Sequence, residues 1–190
     1  MLVSDYRELC EVDLPYRDRQ KYMHSFNLEN PVMAPGFEDY LDVVKKLCAS
    51  AGATTGVAHM TVDEKMVQPG MSQRRPKPHV DGCFMPQTMS WNPVPGWLHN
   101  CNNIPVSRMP IIVAASVPGC RAWRGQFDGQ PASDGDLSHI MDQLDDGEVF
   151  PANKGFLLSP DCVHESMIFD QLVKRTFLRI ALPVDFKFKS

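Results

Sequence analysis

The order of apolar and polar residues divides the chain into one early helix and a longer series of short strands. From Phe37 to Cys48, apolar residues recur at intervals of three and four, the spacing of a helix face that packs on a core. Pro35 and Gly36 precede this segment, and Gly52 follows it, as expected at the two ends of a helix. The pattern therefore predicts a bracing helix near the N-terminus.

Short strands are predicted along most of the remaining chain. Residues 1–36 are polar and contain prolines, so we expect them to wrap the domain irregularly with one short strand. Residues 54–67 mix β-branched residues with alternating polar ones, which predicts two short strands or one bent strand. Further strands are expected over 79–84, 110–117, 119–129, 155–159, 162–169 and 172–182, with a second short helix from Leu137 to Leu144.

This order predicts a mostly β protein with flanking helices, built as a β-sandwich or jelly roll. Alternating βαβ units are absent, which argues against a Rossmann-type domain. With 190 residues, the chain is expected to form one domain over 1–190, with residues 1–53 as its N-terminal wrap and bracing helix. Residues 85–108 contain four prolines and two tryptophans without periodicity, which predicts a lid-like insertion.

Composition narrows the classes of function. The net charge of -4 makes nucleic-acid binding unlikely, and no apolar stretch approaches the roughly 20 residues of a membrane span. The six cysteines include no C-x-x-C pair, so a zinc ribbon is not expected. We expect a cytoplasmic protein whose cysteines are reduced and mostly buried. The sequence does not predict the oligomeric state.

The first candidate metal ligands are a histidine and an aspartate that lie two residues apart. On a strand, His79 and Asp81 face the same side and can converge on one ion, while Val80 faces the other side. The same pattern also occurs on surface strands whose polar side chains face water. His164 lies within an apolar strand pattern, where it either forms hydrogen bonds inside the core or completes a metal site. Two histidines and one carboxylate with open positions form the ligand set of non-haem iron(II) oxygenases.

Two arginines on the last predicted strand extend this site. Arg175 and Arg179 share one face with Phe177, which would be either a solvated edge or the lining of a barrel mouth. A 2-oxoacid chelating the iron would leave its second carboxylate buried. Arginine can bind such a carboxylate through two parallel charge-assisted hydrogen bonds.

With His79, Asp81, His164 and Arg175 in this order, the chain resembles the Fe(II)/2-oxoglutarate-dependent dioxygenases of the double-stranded β-helix fold. The segment QPGMSQRRPKPHVDG resembles the H-x-D passage of the prolyl-hydroxylase-like branch, and GFLLSPDCVHES resembles its distal-histidine passage. The resemblance covers residues 55–182. It implies that His79, Asp81 and His164 bind Fe(II), and that Arg175 binds the C5 carboxylate of 2-oxoglutarate, which reacts with O2 to hydroxylate a substrate C–H bond.

The chain departs from the family at two positions. Phe177 stands where the family often has serine or threonine, and Gln68 stands where the prolyl-hydroxylase-like branch often has tyrosine before the Pro-Gly turn. We expect Gln68 to contact the co-substrate through a hydrogen bond. Arg179 could take the place of Arg175 or anchor an acidic substrate.

Other candidates concern the substrate, for which we expect a small molecule or a peptide side chain. Arg74 and Arg75 precede the H-x-D strand and would either attract an anion or form a solvated loop. Trp91, Trp97 and Trp123 would form an aromatic wall or pack in the core. Two alternative functions stay open: a non-enzymatic jelly-roll protein with a structural or ligand-binding role, and a cupin-type metalloenzyme that does not use 2-oxoglutarate.

Overall fold

The computed structural model describes residues 1–81, 109–132, 134–183 and 185–189, and their fold is mostly β with antiparallel sheets. The predicted insertion at 85–108 lies outside these residues. The strands are β1 (Leu2–Ser4), β2 (Tyr6–Glu11), β3 (Gln20–Asn27), β4 (Val57–Val67), β5 (Ile111–Ala115), β6 (Cys120–Trp123), β7 (Gly125–Phe127), β8 (Glu148–Val149), β9 (Lys154–Leu158), β10 (Val163–Ser166) and β11 (Val173–Ala181).

The largest sheet has six strands in the order β2-β9-β5-β11-β4-β3. The long strand β11 lies between β5 and β4, so the predicted face of Arg175 and Arg179 belongs to a central strand and not to a solvated edge. The even-numbered residues of β11, such as Leu178 and Ile180, point to the face away from the two arginines and pack toward helix α1 (Leu41–Ala51). The opposite face of this sheet carries both arginines.

A smaller sheet, in the order β10-β6-β8, packs over that opposite face. One apolar cluster contains Val113 and Phe177 from the large sheet together with Cys120 and Ala122 from β6. His79 joins the edge of the small sheet through an isolated antiparallel bridge to His164 on β10. The chain thus passes repeatedly between the two sheets: β4, the His79 bridge, β5, β6 and β8, β9, β10 and finally β11.

The N-terminal region is more ordered than its sequence predicts. It contributes three strands, where the irregular wrap was expected to hold one: β1 pairs with β7, β2 with β9 and β3 with β4. The two outermost strands of the large sheet, β2 and β3, come from this region. Their side chains are largely exposed or half-buried, so the polar composition reflects an edge position and not missing structure.

The helices differ slightly from the prediction. A 3-10 turn at Glu38–Tyr40 leads into α1, which ends at Gly52 in the left-handed conformation. The second predicted helix is a 3-10 helix at Ser138–Gln143. Among the described residues, none of the helices has the length and hydrophobicity needed to cross a membrane.

Candidate metal centre

Backbone pairing brings His79 and His164 side by side. The His79 N–H donates to the His164 carbonyl at 2.9 Å, and the His164 N–H donates to the His79 carbonyl at 3.0 Å. Their rings lie 4.4 Å apart, centroid to centroid. Val80 points away from the site into a core cluster with Val163 and Trp123. The alternation inferred from the sequence therefore applies here, and Asp81 returns to the side of the two histidines.

The three side chains form a group that could hold a metal ion. One ligand atom from each of His79, Asp81 and His164 lies within 4.8 Å of the others. The Nε2 atom of His79 is 3.8 Å from Asp81 Oδ1, and that of His164 is 3.9 Å from Asp81 Oδ2. A metal with bonds of about 2.1 Å would draw these atoms somewhat closer together.

Both histidines are oriented with the same ring nitrogen toward this point. His79 Nδ1 lies 2.9 Å from the Lys77 carbonyl oxygen, and His164 Nδ1 lies 3.0 Å from that of Cys162. A carbonyl oxygen only accepts hydrogen bonds, so each Nδ1 carries the proton. Each Nε2 then keeps its lone pair for a metal, and the outer hydrogen bond fixes the plane of the ring.

The electrostatic environment favours the ligand forms of these side chains. Burial, followed by the neighbouring His164, lowers the pKa of His79 to about 3, so its imidazole is neutral. Burial alone would raise the pKa of Asp81, but Arg179 and the two histidines hold it well below its usual range. The site therefore offers the neutral imidazole of His79 and the carboxylate of Asp81 at neutral pH, with the ring of His164 beside them.

Arg179 forms an ion pair with Asp81, one of the candidate metal ligands. Its Nη1 lies 2.7 Å from Asp81 Oδ2, and its side chain is only 4% exposed. This contact leaves Asp81 Oδ1 as the oxygen available to an ion. The expected role of Arg179 as a co-substrate contact is thus replaced, in this structure, by an ion pair with a metal-site residue.

Arg175 occupies a different environment, with no accessible surface. Its Nε donates to the Val117 carbonyl at 2.9 Å and its Nη1 donates to Gln73 Oε1 at 2.5 Å. Its Nη2 is buried and has no hydrogen-bond partner among the described residues. Burial lowers the pKa of Arg175 to about 10, which still leaves the guanidinium charged. A buried cation with a donor that lacks a described partner could accept a hydrogen-bonded anion.

The glutamine that reaches this arginine is not the one expected from the sequence. Gln68 is exposed in the turn after β4. Gln73 is 4% exposed, and its Nε2 donates to the backbone carbonyls of Asp63 and Arg175 at 2.6 and 3.3 Å. Gln73, and not Gln68, is therefore the glutamine that contacts and orients Arg175.

Phe177, the residue at the position where the resembled family often has serine or threonine, contacts two guanidinium groups. The Arg175 guanidinium carbon is 5.7 Å from its ring centroid, and that of Arg74 is 5.6 Å away. The ring is thus within cation–π distance of both cations. Cation–π contacts of this kind offset part of the cost of burying Arg175.

The two basic substrate candidates have acidic partners. Arg74 also stacks on Tyr22 and approaches Asp63 at 3.7 Å. Arg75 forms ion pairs of 3.1 and 3.5 Å with Asp134 and Asp136. These contacts tie the loop before His79 to its neighbours in the fold.

The predicted aromatic wall is only partly described. Trp91 and Trp97 lie outside the described residues. Trp123 pairs with Val163, packs in the core cluster and donates from Nε1 to the Asp145 carbonyl at 2.8 Å. Of the two expectations for Trp123, packing in the core is the one that the structure shows, because strand parity directs it away from His164, whose partner on β6 is Ala122.

Three residues that sequence reasoning missed also shape the site. Gln73, which contacts Arg175, lies in a basic segment that was read as a loop. Met23, which contacts Arg179, lies in a region that was expected to be irregular. Gly135 faces the backbone of the H-x-D segment and accepts a 3.0 Å hydrogen bond from the Val80 N–H. Only the glycine carried a local signal, because a turn between helix and strand often requires one.

Comparisons with protein-family models, curated proteins and solved structures found no match to this chain.

Proposed function

We propose that this chain is a non-haem Fe(II)- and 2-oxoglutarate-dependent dioxygenase that hydroxylates a C–H bond of a small molecule or a peptide side chain. The observation that carries the proposal is the convergence of His79, Asp81 and His164 over the face of the large sheet that carries Arg179 and the buried Arg175. The metal group alone would fit many metalloproteins. The buried cation beside it favours a ligand that both chelates a metal and carries a second negative charge.

The strand order supports a double-stranded β-helix. Four strands of the large sheet run in the order β9-β5-β11-β4, while the His79 bridge, β10, β6 and β8 form a facing set of four. From β4 to β11 the chain alternates between the two sets, except that β6 and β8 both belong to the facing set and β7, between them, pairs with β1 instead. Such winding is what a jelly roll requires, and in this proposal the candidate ligands would lie at its mouth.

The donor set fits Fe(II). Two neutral imidazoles and one carboxylate on one side of an ion leave several positions open, as non-haem iron oxygenases require. In this proposal His79 and His164 bind through Nε2, and Asp81 binds through one oxygen while Arg179 holds the other. The outer hydrogen bonds to the Lys77 and Cys162 carbonyls keep both rings in position.

The surroundings of Arg175 fit the distal carboxylate of 2-oxoglutarate. Its Nη2 is the buried donor that lacks a described partner, and Gln73 fixes the plane of the guanidinium. Between the two arginines, we assign the co-substrate to Arg175, because Arg179 is already paired with Asp81. The apolar neighbours Phe169 and Phe177 keep water from this cation and thereby strengthen its hold on a carboxylate.

Bound iron and 2-oxoglutarate would supply the activation of O2, with succinate and carbon dioxide as the co-products. The chain's own residues then act by binding, orienting and excluding water. None of the ligand residues has to serve as a general base, because in this proposal all three bind the metal.

Succinate formation from 2-oxoglutarate in the presence of Fe(II) and O2 tests this proposal. We expect His164→Ala and Asp81→Ala to abolish succinate formation, and Arg175→Ala to raise mainly the apparent KM for 2-oxoglutarate. Calorimetric titration with Mn(II), followed by titration of the Mn(II)-loaded protein with 2-oxoglutarate, distinguishes the alternatives: a cupin-type enzyme would bind metal but not 2-oxoglutarate, and a non-enzymatic jelly roll need bind neither. Unchanged succinate formation in either variant would contradict the assignment of that residue as a metal ligand.

A further inference from the structure

The carboxylate of Asp63 is buried on the face of the large sheet that also carries the two arginines of β11. Asp63 pairs directly with Phe177 and so faces the same side as Arg175 and Arg179. Its side chain has no accessible surface. Gln20 donates to its Oδ1 at 2.8 Å, whereas its Oδ2 accepts no hydrogen bond from the described residues. A buried carboxylate oxygen without a donor is costly, and a ligand that donates to it offsets that cost.

Two cations lie close to this oxygen without forming a hydrogen bond to it. Lys65 Nζ is 3.3 Å from Asp63 Oδ2, and Arg74 Nη1 is 3.7 Å from it. The Lys65 side chain is 35% exposed and flexible, and it lies directly opposite Arg175, where like charges repel. Its ammonium can therefore turn toward water. The position that it leaves beside Oδ2 suits the ammonium group of a ligand.

Arg74 is held more firmly than Lys65. Its guanidinium carbon lies 5.6 Å from the ring centroids of both Tyr22 and Phe177. Its N–H donates to Ser166 Oγ at 3.2 Å, and its carbonyl accepts a hydrogen bond from Ser72 Oγ at 2.7 Å. The rings and the backbone thus fix a guanidinium beside the buried carboxylate. Such a group binds a carboxylate through two parallel charge-assisted hydrogen bonds.

We propose that Asp63 and Arg74 form a binding site for a free α-amino acid, whose ammonium group replaces that of Lys65 on Asp63 Oδ2 and whose carboxylate binds Arg74. The four charges then alternate in sign around a ring, and each attracts both of its neighbours. An α-amino acid carries its two charges on one carbon, which suits protein groups only 3.7 Å apart. A residue inside a peptide lacks both charges, because its amino and carboxyl groups form neutral amides.

The binding site stands without a metal or 2-oxoglutarate, whereas the role of the amino acid as the hydroxylated substrate rests on the proposed function. In that role, one oxygen atom of O2 would enter succinate and the other would enter a C–H bond of the amino acid. Two electrons come from the decarboxylation of 2-oxoglutarate and two from the C–H bond. The substrate class would then be a free amino acid and not a peptide side chain.

Calorimetric titration of the full chain with each common free L-amino acid, without metal or 2-oxoglutarate, tests the binding site. The N-acetyl derivative of each amino acid that binds lacks the ammonium charge, and its amide lacks the carboxylate charge. We expect both derivatives to bind at least about tenfold more weakly than the parent. Failure of every amino acid to bind at millimolar concentration, or equal binding of the N-acetyl derivative, would overturn the proposal.

Two variants with opposite expected effects separate a binding site from a structural ion pair. Asp63→Asn keeps an acceptor for Gln20 but removes the charge, so the Kd for the amino acid should rise at least about tenfold. Lys65→Met removes the competing ammonium at a half-exposed position, so the Kd should fall at least about threefold. An unchanged or higher Kd for Lys65→Met would show that no ligand ammonium takes the place of Lys65, and would overturn the proposal.

Turnover then tests the substrate role separately. The amino acid that binds most tightly is added to the chain with Fe(II), 2-oxoglutarate and O2, and mass spectrometry follows succinate and the addition of one oxygen atom to the amino acid. We expect both products in equal amounts. Succinate without oxidised amino acid would overturn the substrate role and leave the proposed function standing. Absence of succinate would contradict the proposed function, while the titrations still decide the binding site.

Discussion

Arg179 and Asp81 form a 2.7 Å ion pair directly beside the candidate metal site. The guanidinium lies on the central strand β11, and the carboxylate belongs to the segment that carries His79. The carboxylate of a candidate metal ligand is therefore already shared with a fixed cation. This positive charge opposes the binding of a metal ion even as it orients the ligand.

Arg179→Gln should tighten the binding of a divalent metal. At an effective dielectric constant of about 20, a unit charge repels a divalent cation one ligand away by several kcal/mol, more than the loss of a typical hydrogen bond. Glutamine can still donate to Asp81, so the change mainly removes charge. We expect the Kd for Mn(II), measured by calorimetry without 2-oxoglutarate, to fall at least about tenfold.

Arg179→Lys is the matched control, because it keeps the charge and should leave the Kd within about threefold of the wild type. Weaker Mn(II) binding by Arg179→Gln would mean that Arg179 acts on the metal site chiefly by orienting Asp81.

Gln73→Glu should weaken 2-oxoglutarate binding without affecting the metal. A carboxylate at this position would neutralise Arg175, whose Nη1 lies 2.5 Å from the present amide oxygen. We expect the Kd for 2-oxoglutarate of the Mn(II)-loaded protein to rise at least about tenfold, with the Kd for Mn(II) unchanged. Gln68→Glu makes the same chemical change at an exposed position and should alter neither value. A larger effect at Gln68 would contradict our assignment of the co-substrate site.

The second half of the fold follows closely from local pattern. Strands β5, β9 and β11 lie within the predicted segments or begin one residue earlier, because continuous apolar runs signal buried strands. The sequence predicted one short strand in residues 1–36 and not the two edge strands β2 and β3, because their side chains face water on much of their surface. Only pairing with β9 and β4, which are distant in the chain, makes these polar segments strands.

The candidate site, like the fold, has one part that local sequence predicts and one part that depends on long-range contacts. Strand parity within the chain was enough to group His79 with Asp81 and to place Arg175 on the face of Arg179. Which partner each arginine takes depends on contacts between residues about 100 positions apart, such as Arg175 with Gln73. The spacing of residues along the chain does not encode such contacts. The sequence therefore pointed to Gln68, at the family's tyrosine position, and did not distinguish the roles of Arg175 and Arg179.

Gly135→Ala should disturb the metal site from outside it. Gly135 has a φ of 87°, and a Cβ there would collide with the Val80 carbonyl oxygen between the two H-x-D ligands. We expect the free energy of unfolding to fall by about 2 kcal/mol or more, and the Kd for Mn(II) to rise at least about tenfold. Urea unfolding and calorimetry measure the two effects.

Gly36→Ala separates backbone strain from the collision. Gly36 has a similar φ of 83°, but a Cβ there meets no atom within 4 Å. It should therefore lose only about 1 kcal/mol and bind Mn(II) as the wild type does. Equal effects of the two variants on Mn(II) binding would show that the contact with Val80 does not position the ligands.

Arg19→Met should destabilise the protein in a pH-dependent way. Arg19 pairs with Asp39 at 2.9 Å and with Glu64 at 3.0 Å, and the Glu64 side chain is fully buried. Tyr40 also donates to Glu64 at 2.7 Å. Burial would raise the pKa of Glu64, but the hydrogen bonds from Arg19, Tyr40 and the backbone lower it below 4.5. Removing the cation leaves a buried carboxylate without its counter-charge, at a cost of about 3 kcal/mol at pH 7.

The sign of the pH dependence follows from that lowered pKa. In the wild type, the stabilisation from ionised Glu64 is present above the unfolded pKa and is lost as the pH falls through the folded one. The difference between wild type and Arg19→Met, measured by urea unfolding, should therefore shrink as the pH falls from 7 to about 3. Arg17→Met removes a 65% exposed partner of Asp39 and should cost less than about 1 kcal/mol at either pH. A penalty for Arg19→Met that stays constant with pH would assign the loss to packing of its side chain over Phe37, 4.8 Å away, instead of to its charge.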